Sequence, residues 1–213
     1  AGLSGIRGDS RALVRDDGGT SHLSVLDDAG NAVALTTTVN LWFGAAIVDP
    51  QTGVLFNDQM DDFAARPGEP NAFGLVQGEN NSPAAGRRPL SSMSPTLVLD
   101  AEGRTVLAVG GAGGPKIITA TLQTLLAALD GRRSAADAVA TPRLHHQWLP
   151  PDVVVEDAYP PIGRAALRDE GFEVSAGTRS GVVQIATFDP VTDRFDGAAD
   201  PRAHGAAVVV IAP

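Results

Sequence analysis

The chain of 213 residues is 43% hydrophobic and 19% charged, with a formal net charge of −9; this is globular composition, long enough for one large or two small domains. The acidic balance argues against nucleic acid or an anionic membrane surface as the main partner. The absence of cysteine excludes disulfides, thiolate metal sites and cysteine nucleophiles, and no stretch approaches the ~20 apolar residues of a membrane span.

Residues 1–19, rich in Gly, Ser, Arg and Asp, lack a sustained apolar period and read as a mobile segment without the apolar core of a signal peptide. From His22 the pattern changes: HLSVLD, the tight turn Asp28-Ala29-Gly30-Asn31 and AVALTTTV read as two strands of a hairpin. Residues 63–90 form a long Pro/Gly/Asn-rich connection, of the kind that is functional or disordered in compact domains. A second strand pair follows, PTLVLD and TVLAVGG about the turn Ala101-Glu102-Gly103. The spacing of Ile118, Leu122, Leu125, Leu126 and Leu129 predicts a helix from Pro115 to about Leu129, with Gly131 after its end. A short helix is predicted around Ala135–Ala140, a strand at DVVVED (152–157), a helix over Pro161–Glu170 and a strand at FEVSA. VVQIATFD and AAVVVIA are read as the closing strands, with PVTDRFDG as the turn after the first. Strand pairs without regular βαβ alternation point to an antiparallel α+β fold.

Several segments carry groups with chemical potential. A threonine hydroxyl stays protonated at neutral pH and needs a base; a threonine at a chain terminus brings its own α-amine, pKa about 7.7–8.0. The junction Gly18-Gly19-Thr20 is flexible enough for the Thr20 hydroxyl to attack the carbonyl of Gly19 and release that amine. AVGGAGGPK (108–116) is either a tight strand-to-helix turn or a set of backbone N–H groups that hold a phosphate or a developing oxyanion; it has neither a Gly-Lys-Ser/Thr ending nor a dinucleotide fingerprint. NDQMDDF (57–63) is a solvated turn or a site for an ammonium group. The hydroxyls of PLSSMSP (89–95) suit turn chemistry. The adjacent His145 and His146 point apart on any regular element and are read as structural.

Taken together, TSHLSVLDDAGNAVALTTTVN, FGAAIVDPQTGVLFNDQMDDF, RRPLSSMSPTLVL, GGAGGPKIITATLQ, PRLHHQWLP and DGAADPR, in that order from Thr20 to about Arg202, resemble the small (C-terminal) subunit of γ-glutamyltranspeptidases, members of the N-terminal-nucleophile hydrolases. The resemblance implies an αββα four-layer sandwich completed by a large subunit cut from the same precursor, with residues 1–19 as a large-subunit tail or linker and 20–213 as the small-subunit domain. It implies autocleavage between Gly19 and Thr20, Thr20 as nucleophile and Thr38 as support for its hydroxyl and α-amine. Asn40, Gln59 and Asp62 match the residues that grip the substrate α-amine, Ser91 and Ser92 the pair on its α-carboxylate, and Gly113 and Gly114 the oxyanion hole. Residues 67–77 match a lid, with Phe73 where some members have tyrosine. The implied activity is γ-glutamyl transfer and hydrolysis, from donors such as glutathione to an amino acid, peptide or water, with no metal or organic cofactor. The compartment implied is periplasmic or extracellular.

Two departures stand out. The usual Thr-Thr-His start reads Thr20-Ser21-His22, and nineteen residues precede a threonine that must be chain-terminal to act. The family's large subunit also supplies an arginine for the substrate carboxylate, so this chain is expected to hold half an active site. Two rivals remain at this point: an acylase or amidase of the same superfamily for a glutaryl group or a biosynthetic intermediate, and an unprocessed, non-catalytic homologue.

Overall fold

The structure, a computed structural model, describes residues 19–177 and 179–210; the predicted leader lies outside them except for Gly19. The first half contains β1 (Thr20–Leu26), β2 (Ala32–Thr38), β3 (Thr96–Leu99), β4 (Thr105–Ala112) and α1 (Lys116–Leu129). The second contains α2 (Ala135–Ala140), β5 (Leu144–His145), β6 (Val153–Glu156), α3 (Pro161–Asp169), β7 (Val174–Gly177), β8 (Val182–Asp189) and β9 (Arg194–Ala199).

A four-stranded antiparallel sheet, in the order β3-β4-β8-β9, forms the centre. Leu107 and Val109 of β4 and Val183 and Ile185 of β8 turn one face toward Ala120 of α1 and Ala135 and Val139 of α2, and these residues make the core. The β1–β2 hairpin lies on the opposite face: the His22 ring rests on Gly110, and Ser24 Oγ donates to the Gln184 carbonyl at 3.3 Å. Helices, sheet and hairpin thus supply an α, a β and a second β layer. The hairpin alternates in an unusual sense. His22, Ser24 and Thr36 face the sheet, whereas Leu23, Val25, Val33 and Leu35 face outward, each between 46% and 50% exposed.

Several sequence expectations change. The apolar stripe of α1 is real but points away from the sheet: Ile118 (51%), Leu122, Leu126 and Leu129 are exposed, and only Leu125 packs on the core. The buried side is Ile117, Ala120, Thr121 and Thr124; small side chains there let the helix approach the strands closely. The segment read as the turn PVTDRFDG contains the first four residues of β9, which pairs with β8 from Arg194 to Ala199. The predicted last strand is not formed over the described residues 206–210, where Val208, Val209 and Val210 are exposed. The sheet β5-β6-β7 includes one parallel pair, β6–β7, made possible by the α3 crossover. Among the described residues no helix is long and apolar enough to cross a membrane.

The hairpin interface has a pH consequence. Desolvation of the His22 ring lowers its pKa from 6.5 to about 4, so the unfolded chain binds the extra proton first as pH falls. Stability from neutral His22 is complete above about pH 6.5 and is lost progressively as pH falls toward 4. Thermal unfolding scans across that window are expected to show a steeper fall in Tm for the wild type than for His22→Gln; parallel curves would exclude His22 as the source.

Candidate active site

The register of the hairpin sets Thr20 opposite Thr38, and their hydroxyl oxygens lie 2.8 Å apart. The Thr38 hydroxyl also donates to the Gly19 carbonyl at 3.2 Å and accepts from the Asn40 N–H at 2.8 Å. With its one proton on Gly19, Thr38 must accept from Thr20, which turns the Thr20 proton away from the Gly19 carbonyl carbon. A second donor, the Val39 N–H, reaches the Gly19 oxygen at 2.9 Å. The position requires glycine by close approach: a Cβ there would come within 2.6 Å of the Asn40 and Leu41 carbonyl oxygens.

The chain leaves β2 through Asn40, buried at 5% exposure with φ 75, a left-handed conformation that asparagine tolerates. Asp58 ties this bend to the next segment, accepting from the Leu41 N–H at 3.0 Å while its own N–H donates to the Val39 carbonyl. There Gln59–Asp62 forms a 3₁₀ turn in which the Gln59 amide donates to the Asp62 carboxylate. NDQMDDF is therefore a folded turn.

Ser91 and Ser92 approach along the extended run into β3; Ser91 Oγ accepts from the Met93 N–H at 3.2 Å, the turn chemistry expected of PLSSMSP. Gly113 and Gly114, with φ 136 and 57, make the turn from β4 into α1. The Phe73 ring is buried at 5% exposure and lies flush on Gly114, where a Cβ would meet it at 2.9 Å. Asn71 Oδ1 accepts from the N–H groups of Phe73 and Leu75, each at 3.0 Å, and Asp61 accepts from the Ala72 N–H at 3.2 Å.

These segments line a cleft that is open to solvent. Thr20 and Thr38 line it together with Asn40, Gln59, Asp62, Phe73, Ser91, Ser92 and Gly114; Gly113 adjoins the lining and Gly19 lies behind Thr20. Leu75, Met93, Pro115 and Ile117 supply apolar walls that the sequence reading did not assign. Asp62 is the one ionisable side chain among the lining residues, and none of them is cationic. Such a surface offers a carboxylate for an ammonium group and neutral hydroxyls for an anion. Among the described residues no group of three or more His, Asp or Glu is placed to hold a metal ion.

The two histidines diverge as expected. His146 packs edge-on against Phe172, with ring centroids 5.7 Å apart. His145 is buried and hydrogen-bonds Thr119 Oγ1 and Gln147 Oε1, each at 2.8 Å, and desolvation keeps its pKa below the usual value. Gln147 in turn donates to the Phe73 carbonyl at 3.4 Å.

Comparison with known proteins supplies the context. The family model described as gamma-glutamyltranspeptidase matches residues 7–210. The chain is 44% identical over 183 residues to the glutathione hydrolase proenzyme of Escherichia coli K12, covering 86% of this chain and 31% of that protein. A similar match to the proenzyme of Pseudomonas sp. A14, again 44% identical, covers 33% of its length. The chain therefore spans about a third of the curated relatives it matches. Among solved structures, a Helicobacter pylori gamma-glutamyltranspeptidase mutant superposes with TM-score 0.81 at 40% identity, over 85% of this chain and 99% of that one. The Bacillus anthracis transpeptidase CapD, at 22% identity, shares the fold with TM-score 0.66 over 89% of this chain and 99% of its own.

Proposed function

This chain belongs to the γ-glutamyltranspeptidase family, and on that premise we propose that the complete protein transfers and hydrolyses γ-glutamyl groups from glutathione-like amides. Thr20, released by cleavage after Gly19, is the proposed nucleophile. The observation that carries this reading is the Thr20–Thr38 hydroxyl pair beside a Gly19 carbonyl that already accepts two donors.

In the cleavage step, Thr20 Oγ adds to the Gly19 carbonyl carbon, and the Thr38 hydroxyl and Val39 N–H stabilise the charge that develops on its oxygen. Collapse passes the hydroxyl proton to the leaving nitrogen, breaks the Gly19–Thr20 C–N bond and so frees the Thr20 α-amine, leaving Gly19 as an ester on Thr20 Oγ; water then hydrolyses the ester, releasing the Gly19 carboxylate and restoring the Thr20 hydroxyl. In turnover that amine takes the Thr20 hydroxyl proton as Oγ attacks the γ-carbonyl carbon of the donor. Backbone N–H groups of Gly113 and Gly114 hold the oxyanion, and the proton passes to the departing amine. Water or an acceptor amine then attacks the γ-glutamyl ester and restores the Thr20 hydroxyl. Asp62, with Asn40 and Gln59, holds the α-ammonium; Ser91 and Ser92 donate to the α-carboxylate. Phe73 closes the cleft as an apolar wall.

The partner in this reading is the large subunit from the same precursor. Its support is threefold: the chain matches about a third of its relatives' length, the outer face of the hairpin is apolar, and among the described residues no cation lines the cleft to neutralise a substrate carboxylate.

Assays of the full-length protein on γ-glutamyl-p-nitroanilide and glutaryl-p-nitroanilide test the substrate class, because the second lacks only the α-amine. The first is expected to be preferred by roughly 10- to 100-fold in kcat/KM, the worth of hydrogen bonds to a charged group. Asp62→Ala should remove most of that preference by slowing the γ-glutamyl substrate alone. Faster hydrolysis of the glutaryl compound by the wild type would instead identify a desamino acylase.

A further inference from the structure

Asn81, in the long connection between the 3₁₀ turn and β3, joins three parts of the cleft from behind. Its side chain is buried at 7% exposure. The Nδ2 group donates to the Asp62 carbonyl at 2.7 Å and to Gln77 Oε1, while Oδ1 accepts from the Leu90 N–H at 3.1 Å. The amide orientation follows from these backbone partners, since a carbonyl requires a donor and an N–H requires an acceptor. Each partner borders a residue of the site. Asp62 lines the cleft itself, and Leu90 immediately precedes Ser91. Gln77 closes the base of the lid by accepting from the Gly68 N–H at 2.9 Å. Asn81 is therefore bonded both to the residue assigned to the substrate ammonium and to the segment assigned to its carboxylate. Its own backbone carbonyl fixes a further point, accepting from the Ala64 N–H at 2.9 Å. The neighbouring Asn80 is exposed.

From these contacts we infer that Asn81 is a positioning residue that sets the separation between the ammonium grip at Asp62 and the carboxylate grip at Ser91 and Ser92. It thereby determines selectivity for donors bearing a free α-amino acid head. The inference rests on the γ-glutamyl reading of the cleft. It adds a residue that touches no substrate and acts through the spacing of two that do.

The test uses the full-length protein, with Asn81→Ala, Asn81→Asp and the control Asn80→Ala, assayed on γ-glutamyl- and glutaryl-p-nitroanilide. Rates are normalised to the fraction of chains that begin at Thr20. Asn81→Ala is expected to raise KM for the γ-glutamyl substrate and cut its preference over the glutaryl one about tenfold, as for one lost hydrogen bond to a charged group. The control should match the wild type. Asn81→Asp keeps the size and the oxygen facing Leu90 but loses the donors to Asp62 and Gln77. It should lose the preference too, and it carries the reading if the alanine variant does not accumulate. Equal falls on both substrates with an unchanged ratio would overturn the inference. So would failure of both Asn81 variants to accumulate in folded form, because Asn81 would then serve the fold and not the site. A wild type that does not prefer the γ-glutamyl compound refutes the substrate reading instead, so the two failures are distinguishable.

Discussion

Replacing Thr20 with alanine is expected to leave one polypeptide, still joined at Gly19–Thr20, and to reduce turnover at least about 10⁴-fold, the scale seen when a nucleophile is removed. Both losses have one origin. Without Oγ nothing adds to the Gly19 carbonyl, so no α-amine forms, and no hydroxyl remains to attack a donor. The fold should survive: the change removes a single half-buried hydroxyl contact to Thr38, worth about 1 kcal/mol. Intact-mass measurement and N-terminal sequencing of the purified variant check the first loss, and γ-glutamyl release checks the second. Thr20→Ser keeps the oxygen and should still be processed. A new terminus at residue 20 in the alanine variant would exclude Thr20 as the residue that cuts.

Asp200→Asn is expected to destabilise the protein by about 3–5 kcal/mol, the cost of stranding a buried charge, against a total stability of only ~5–15 kcal/mol. Arg143 is fully buried, at 0% exposure, and its guanidinium meets Asp200 Oδ2 at 2.7 Å. The same oxygen accepts from the Val183 N–H at 2.9 Å, while Oδ1 takes Arg202 Nη1 at 3.0 Å. Arg202 continues the network to Glu156 at 2.5 Å. Burial works against the Glu156 charge, yet Arg202 and the N–H groups of Arg143 and Ser180 outweigh it and hold the carboxyl below its usual range. Neutralising Asp200 would leave the guanidinium groups of Arg143 and Arg202 with Glu156 as the one carboxylate of the network, which bonds the Arg202 side chain but only the backbone N–H of Arg143. The network also reaches the site: Arg143 donates to the Gly181 carbonyl at 3.4 Å, and Gly181 lies so close to Gly113 that a Cβ there would sit 2.8 Å from its Cα. Urea unfolding of the purified protein measures the effect, and a loss below about 1 kcal/mol would mean that water or local rearrangement satisfies Arg143.

Several strands were readable: HLSVLD, AVALTTTV, TVLAVGG and VVQIATFD all lie in or across observed strands, the first two by alternation and TVLAVGG as a continuous buried run. Periodicity does not say which stripe faces inward. On α1 the leucines look like the core side, yet the buried residues are Ile117, Ala120, Thr121 and Thr124. A stripe that a second body is expected to cover has the same pattern as one that faces its own sheet. β9 was missed because RFDGAA has no apolar alternation, and its strand character comes from pairing with β8. Within the cleft, residues carried by contiguous family motifs could be named before any geometry was known. Asn81 could not, because Asn80 beside it is chemically identical and only folding buries one of them. Gln147 was hidden for a similar reason: its contact with Phe73 joins residues 74 positions apart.

The Thr38 hydroxyl points its only proton at the carbonyl of Gly19. In the proposed scission that carbonyl leaves the peptide link and an α-amine takes its place; its one lone pair serves the Thr20 proton, while its N–H groups can donate to the Thr38 oxygen that Thr20 then vacates. On the proposed reading, maturation and turnover draw on one hydroxyl in succession.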